Sequence, residues 1–221
     1  MFILKAIVIT GASTGLGLEL ALKYQYDFDC TILIGRNEKK LQKAKQHFDN
    51  KEVIIYPLDI TKEENVKKAA KELASQYQIV KLINNAGIGY FGPLEEMASE
   101  QMETMFKTNV YGTIHMTKAF LPALKVPENS SILNIVSTAG LKGKVNESIY
   151  VASKFAVRGF TESLVKELEG QVHVAAAYMG GMDTPFWDES DHVKDKSRLR
   201  SPKQVAEDIY QLDDGRSEIV L

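Results

Sequence analysis

The chain has 221 residues, 44% of them hydrophobic and 25% charged, with a formal charge of −2. That length buries a full core within one domain, and the near-neutral balance gives no electrostatic basis for a nucleic-acid or membrane-surface partner. With Cys30 as its lone cysteine the chain forms no internal disulfide, and no apolar run approaches the ~18 residues of a membrane span.

In chain order, a first strand is expected at Phe2–Ile9. It carries Lys5 and runs straight into a glycine-rich turn, Thr10–Gly17, so it reads as a strand and not as a secretion signal. The expected location is therefore the cytoplasm. A helix at Gly15–Tyr26 follows, then a strand at Cys30–Ile34, in which Cys30 reads as a buried residue and not a reactive thiol. Next come a helix at Glu38–Phe48, a strand at Glu52–Pro57, a helix at Lys62–Gln76 and a strand at Val80–Ile83. A long helix at Ser99–Leu124 precedes a strand at Ser131–Val136 and a helix at Ser148–Glu169. Strand Val172–Ala177, helix Pro202–Leu212 and strand Glu218–Leu221 complete the pattern.

Alternation of strand and helix, with nearly continuous apolar strands, predicts a parallel sheet covered on both faces. The expectation is an α/β, Rossmann-like fold over residues 1–221: one domain with a single doubly wound sheet of about seven strands. The long polar segment Gly180–Ser201 follows the sixth strand, where a loop can cover a ligand at the carboxyl ends of the strands.

Chemistry enters at the glycine turn. Gly11, Gly15 and Gly17 follow the first strand directly and open a helix. This is what a pyrophosphate requires: a tight turn, close backbone approach and a helix N-terminus aimed at the charge. Gly11, Ser13, Thr14, Gly15, Leu16 and Gly17 make up the expected cofactor turn. At the end of the second strand, Gly35 and Arg36 stand where an acid would bond a ribose 2′-hydroxyl. An arginine fork there suits a 2′-phosphate, so NADP(H) is expected over NAD(H); the plainer reading is a solvated strand-end arginine.

Tyr150 and Lys154 are four residues apart in a helical pattern and so share a face. A cation held there stabilises a phenolate and equips Tyr150 to protonate a carbonyl oxygen. Turn and pair together read as a nicotinamide-dependent oxidoreductase acting on a small carbonyl or alcohol, with no metal.

With these pieces placed, the chain resembles the short-chain dehydrogenase/reductase family over almost its whole length. The matching elements, in order, are T-G-A-S-T-G-L-G at Thr10–Gly17, Asp59–Ile60, N-N-A-G at Asn84–Gly87, Asn109, Ser137, and Tyr150 with Lys154. The resemblance implies that Asp59 and Ile60 meet the adenine, and that Asn85, Ala86 and Gly87 close over the adenosine ribose. It implies a proton-relay role for Asn109, a hydrogen bond from Ser137 to the substrate carbonyl, and proton donation by Tyr150. Lys154 would hold the nicotinamide ribose and lower the Tyr150 pKa. Gly180 and Thr184 match a turn whose threonine contacts the nicotinamide, although Met179 stands in place of the usual proline. The family also pairs the helices near 108–121 and 148–169 across a two-fold axis, so a homodimer is expected and a tetramer is possible.

Each residue has a plainer alternative. Asp59 could cap the helix at Lys62, Asn109 could be satisfied by backbone, and Ser137 could bond its own turn. Tyr90, Phe91, Met182, Phe186 and Trp187 fall in segments expected to rim an apolar pocket, or they are packing residues. The competing function is an NADP(H)-binding sensor with little catalytic activity.

Overall fold

The computed structural model of the chain describes residues 3–49, 52–188, 192–193 and 195–221. Seven strands form one parallel sheet: β1 (Lys5–Thr10), β2 (Cys30–Gly35), β3 (Glu52–Pro57), β4 (Gln78–Asn84), β5 (Ser131–Ile135), β6 (His173–Tyr178) and β7 (Glu218–Val220). Their order across the sheet is β3-β2-β1-β4-β5-β6-β7. The direction of winding reverses between β1 and β4, and at such a switch point the loops at the carboxyl ends splay apart to leave a ligand crevice.

The helices are α1 (Gly15–Tyr24), α2 (Glu38–Lys45), α3 (Glu63–Gln76), α4 (Ser99–Met105), α5 (Thr113–Leu124), α6 (Ser148–Glu167) and α7 (Pro202–Leu212). Side chains of β1 alternate between the two faces, as strand geometry requires. Ala6 and Val8 pack beneath α3, α5 and α6, while Ile7 and Ile9 pack beneath α1, α2 and α7. Both faces are therefore dry, which explains the continuous apolar runs. Cys30 is fully buried in β2, and burial pushes its thiol up to about 12.

Observed elements follow the expected ones with instructive exceptions. The first strand begins at Lys5 and not at the expected Phe2, which lies outside the described residues. The helix expected to reach Tyr26 tightens into a 3₁₀ turn, Gln25–Asp27, and α2 ends at Lys45 where the bonds of His47 and Phe48 shorten to 3₁₀ spacing. The expected helix Ser99–Leu124 is continuous in direction but not in kind. Residues Phe106–Gly112 form π-helical turns between α4 and α5. Segment 180–201 contains two 3₁₀ turns, Pro185–Trp187 and Lys196–Arg198. Its base is pinched by a bridge between Met182 and Arg200. Residues 189–191 and 194 of that segment lie outside the described residues.

Polar residues inside the sheet are linked to one another. Asn84 donates to Thr117 Oγ1 at 3.0 Å and to Asn134 Oδ1 at 2.8 Å, and Asn134 donates to Thr161 Oγ1 at 2.9 Å. This chain of side chains ties β4 and β5 to α5 and α6. At the opposite, amino-terminal edge, Lys81 of β4 pairs with Asp213 at 2.6 Å, with both side chains almost completely buried.

Candidate active site

The turn after β1 and the turn after β4 are stitched together. Thr10 Oγ1 accepts from the backbone of Asn85 and Ala86, each at 3.0 Å, while Asn85 Nδ2 donates to the carbonyl of Thr10 at 3.0 Å and of Gly11 at 3.3 Å. Asn85 is thus committed through its side chain to shaping the glycine turn. Gly11 and Gly15 adopt left-handed φ values of 65° and 57°, a region that L side chains enter only with strain. Gly17 is required by contact: a Cβ there would lie 2.3 Å from the Gly11 carbonyl oxygen and 2.4 Å from Asn85 Nδ2.

Thr14 precedes α1 in an extended conformation, and among the described residues its side chain does not cap the helix. The first N–H groups of α1 are therefore available to an anion. Ser13 is half-buried beside the end of β2, Thr14 is exposed, and Leu16 turns inward to the core. Arg36 stands exposed just past β2, with no ion pair or side-chain hydrogen bond among the described residues. A phosphate-rich dinucleotide fits this set: open helix N–H donors at one end, an unengaged guanidinium at the other, and glycine between them. Asp59 bends its own turn through Oδ1, which accepts from Thr61 N at 3.0 Å and Thr61 Oγ1 at 2.8 Å. It does not cap α3, and Ile60 is buried against Gly112.

The second half of the site grows from β5 and α6. Ser137, just past β5, has a φ of 97°, outside the comfortable range for a side-chain-bearing residue. Its hydroxyl accepts from Ala139 N at 3.2 Å, so it does bond its own turn, and it lies near enough to Tyr150 to favour the ionised phenol. Tyr150 is 8% exposed. Burial drives its phenol well above the usual range; the neighbouring Ser137 hydroxyl opposes that rise, and the charge of Glu147 adds to it.

Lys154, one turn along α6, donates to the Ile135 carbonyl at 3.1 Å. Burial pushes its ammonium down to about 8. The ammonium sits 5.8 Å from the centre of the Tyr150 ring. Burial is the largest influence on the phenol, followed by Ser137 and Glu147.

Asn109 lies in the π-helical segment, and its side chain brackets the backbone of Ile88: Oδ1 accepts from Ile88 N and Nδ2 donates to Ile88 O, both at 2.9 Å. Nδ2 also reaches Ser153 Oγ at 3.0 Å, which in turn donates to the Tyr150 carbonyl at 2.7 Å. Asn109 is thus satisfied by backbone and also joined to the tyrosine helix. Gly87 keeps the two halves close: a Cβ there would come within 3.3 Å of Asn109 Oδ1 and 3.6 Å of Lys154 Nζ.

After β6, Met179 takes the expected proline position, and its buried side chain fills the core beneath α1 and α7. Gly180 has open space around it, and Thr184 lies against the glycine turn, 3.1 Å from where a Gly15 Cβ would be. The aromatics gather over Tyr150. Phe91 meets it edge-on at 5.4 Å, Phe186 lies at 5.9 Å, and Trp187 stacks on Phe91 at 5.2 Å. Tyr90 joins the same cluster. Met182 does not; its side chain packs toward the α1/α7 core, and only its carbonyl serves the group, accepting from Trp187 Nε1 at 2.9 Å.

Two residues of this wall were not anticipated, Glu147 and His192. His192 stacks on Phe91 at 4.7 Å and bonds Glu147 at 3.1 Å. The placement of Glu147 three residues before Tyr150 in sequence was the available signal. Among the described residues no cluster of metal-ligating side chains occurs.

Known proteins resemble this chain over almost its whole length. The model of the short chain dehydrogenase family matches residues 5–195. The oxidoreductase YusZ of Bacillus subtilis is 34% identical over 236 residues, covering 94% of this chain and 84% of that protein. An alcohol dehydrogenase from Thermococcus sibiricus, solved with 5-hydroxy-NADP, superposes with a TM-score of 0.87 at 30% identity, covering 98% of this chain and 95% of that one. A short chain dehydrogenase/reductase from Burkholderia phymatum, solved with NAD, superposes at 0.89 with 26% identity, covering 100% and 90%.

Proposed function

The chain belongs to the short-chain dehydrogenase/reductase family of oxidoreductases, and from that premise we propose that it transfers hydride between NADP(H) and a carbonyl or alcohol substrate, with Tyr150 as proton donor and acceptor. One observation carries this reading. Tyr150 lies one helical turn from Lys154, whose ammonium is 5.8 Å from its ring and beside Gly87, in the turn that Asn85 and Ala86 stitch to Thr10 at the glycine turn.

The bound dinucleotide supplies the hydride. The chain holds it with the N–H groups of α1, the Asn85–Gly87 turn and Arg36, with Lys154 and Thr184 toward the reacting end. As the carbonyl oxygen gains charge, the hydroxyls of Ser137 and Tyr150 converge on it and Tyr150 releases its proton. The Lys154 cation then favours the phenolate left behind. Phe91, Phe186 and Trp187 exclude water above the tyrosine and favour an apolar or aromatic carbonyl compound. NADPH oxidation followed against a panel of aliphatic and aromatic aldehydes, ketones and diketones tests the proposal. Tight NADPH binding with no turnover across the panel would favour the sensor reading.

The preference for NADP(H) rests on Arg36. Arg36→Ala is expected to weaken NADPH binding roughly tenfold or more, about the strength of one charge-assisted bond, and to leave NADH binding nearly unchanged. Equal losses for both cofactors would remove the 2′-phosphate from its role.

Pairing through α5 and α6 is supported by Tyr111 and Phe155, exposed apolar surfaces on the π-helical segment and on α6. A homodimer is the expected species in sedimentation at micromolar concentration; a monomer would overturn the pairing. Among the described residues no helix is long and apolar enough to cross a membrane.

A further inference from the structure

Glu147 is an unusual neighbour for a proton-donating tyrosine. It immediately precedes α6 and is only 7% exposed. The chain before it is forced into position: Asn146 takes a left-handed φ of 60°, and its carbonyl accepts from Gly92 N at 2.8 Å. That bond fastens the segment carrying Phe91 to the segment carrying Glu147. A second fastening runs through side chains, from Glu147 Oε1 to His192 Nε2 at 3.1 Å, then from the His192 ring to Phe91 at 4.7 Å with 19° between planes. Phe91 completes the path by meeting Tyr150 edge-on at 5.4 Å.

We infer that Glu147 is a positioning residue for proton transfer by Tyr150, acting on the phenol through its charge and on the ring through His192 and Phe91. The inference rests on the reading of Tyr150 as the proton donor. The two actions are separable because they use different properties of one side chain. A carboxylate three residues before the phenol opposes formation of a second negative charge there, and so keeps Tyr150 protonated to higher pH. The hydrogen bond to His192 needs only an acceptor or donor of the right shape, which an amide also provides. Among the described residues, the charged and titratable groups recorded against Glu147 are Lys144, 3.9 Å from Oε2, together with His192 and Tyr150.

Glu147→Gln removes the charge and keeps the shape; Glu147→Ala removes both. The readout for charge is the tyrosinate absorption of Tyr150, taken as the difference between the NADP⁺-bound protein and its Tyr150→Phe variant. This titration requires no turnover, so it decides on Glu147 even if Tyr150 proves not to be the proton donor. In Glu147→Gln the tyrosinate is expected at lower pH, by about half a unit to one unit, and the alkaline limb of the reduction profile moves with it. The readout for positioning is KM. Glu147→Ala and His192→Ala are expected to raise KM for the carbonyl substrate several-fold with Kd for NADPH unchanged, while Glu147→Gln leaves KM close to the parent value. A Glu147→Gln titration that superimposes on the parent overturns the electrostatic action, and an unchanged KM in both alanine variants overturns the mechanical one.

Discussion

Tyr150→Phe is expected to lower turnover about 10²–10⁴-fold, the usual contribution of a positioned proton donor, with NADPH affinity kept within about twofold, well under the roughly 1.4 kcal/mol of a tenfold change. The substitution is gentle toward the structure. A phenylalanine ring preserves the edge-on contact with Phe91 and the tilted contact with Phe186, and the turns proposed to bind the dinucleotide lie on other elements. What disappears is the hydroxyl proposed to give its proton to the carbonyl oxygen. Stopped-flow or steady-state NADPH absorbance measures the first quantity and fluorescence titration the second. Turnover retained within tenfold of the parent would move the proton donor elsewhere. A parallel loss of cofactor binding would mean that the phenol serves the dinucleotide and not the carbonyl.

The second large effect lies at the other edge of the sheet. Asp213→Ala is expected to cost about 3–5 kcal/mol of folding stability, as when one partner of a buried ion pair is removed, or a fall in Tm on the order of 10 °C for a chain of this size. Lys81 is held by Asp213 at 2.6 Å and Ser131 Oγ at 2.9 Å, with its ammonium 5.2 Å from the Tyr24 ring. Tyr24 also donates its hydroxyl to Asp213. Without the carboxylate, an ammonium 7% exposed keeps a hydroxyl and a ring face but no counter-charge. Lys81→Met combined with Asp213→Leu is expected to recover most of the loss, because two apolar side chains of similar size need no partner. Denaturant titration of the single and double variants measures both. A single variant as stable as the parent would show that the pair contributes nothing. Since the cluster adjoins the amino-terminal ends of the strands, KM should stay unchanged in every variant at temperatures where each is folded.

This ion pair marks the limit of what the amino-acid sequence discloses. The strands were legible because a sheet covered on both faces demands unbroken apolar runs, and β3 has the bounds expected of it. The glycine turn after β1 and the Tyr150–Lys154 spacing on α6 were legible because both are local patterns. Lys81 was not, since its partner is 132 positions away, a juxtaposition made only by the finished fold. The same holds for Glu147 and His192, which are 45 positions apart. Met182 was misassigned to the pocket wall for a related reason: the bridge to Arg200 turns its segment toward the core, and no local pattern announces that bridge. The change of helix type at Phe106 leaves composition and apolar spacing almost untouched, so Ser99–Leu124 read as one helix.

That change of type bears on how the protein tolerates insertions and deletions. A π-helical turn accommodates an extra residue relative to an α-helix, and each residue of an α-helix advances the side chain by about 100°. The residues before and after Phe106–Gly112 are therefore out of phase, which lets Met105 face the Tyr150 cluster while Met116 and Phe120 face the sheet. Deleting one residue from the segment would restore an uninterrupted α-helix with better hydrogen bonds, and it would swing Asn109 off the Ile88 backbone. At this one place, the more regular helix is the one that would give up the bracket Asn109 makes around Ile88.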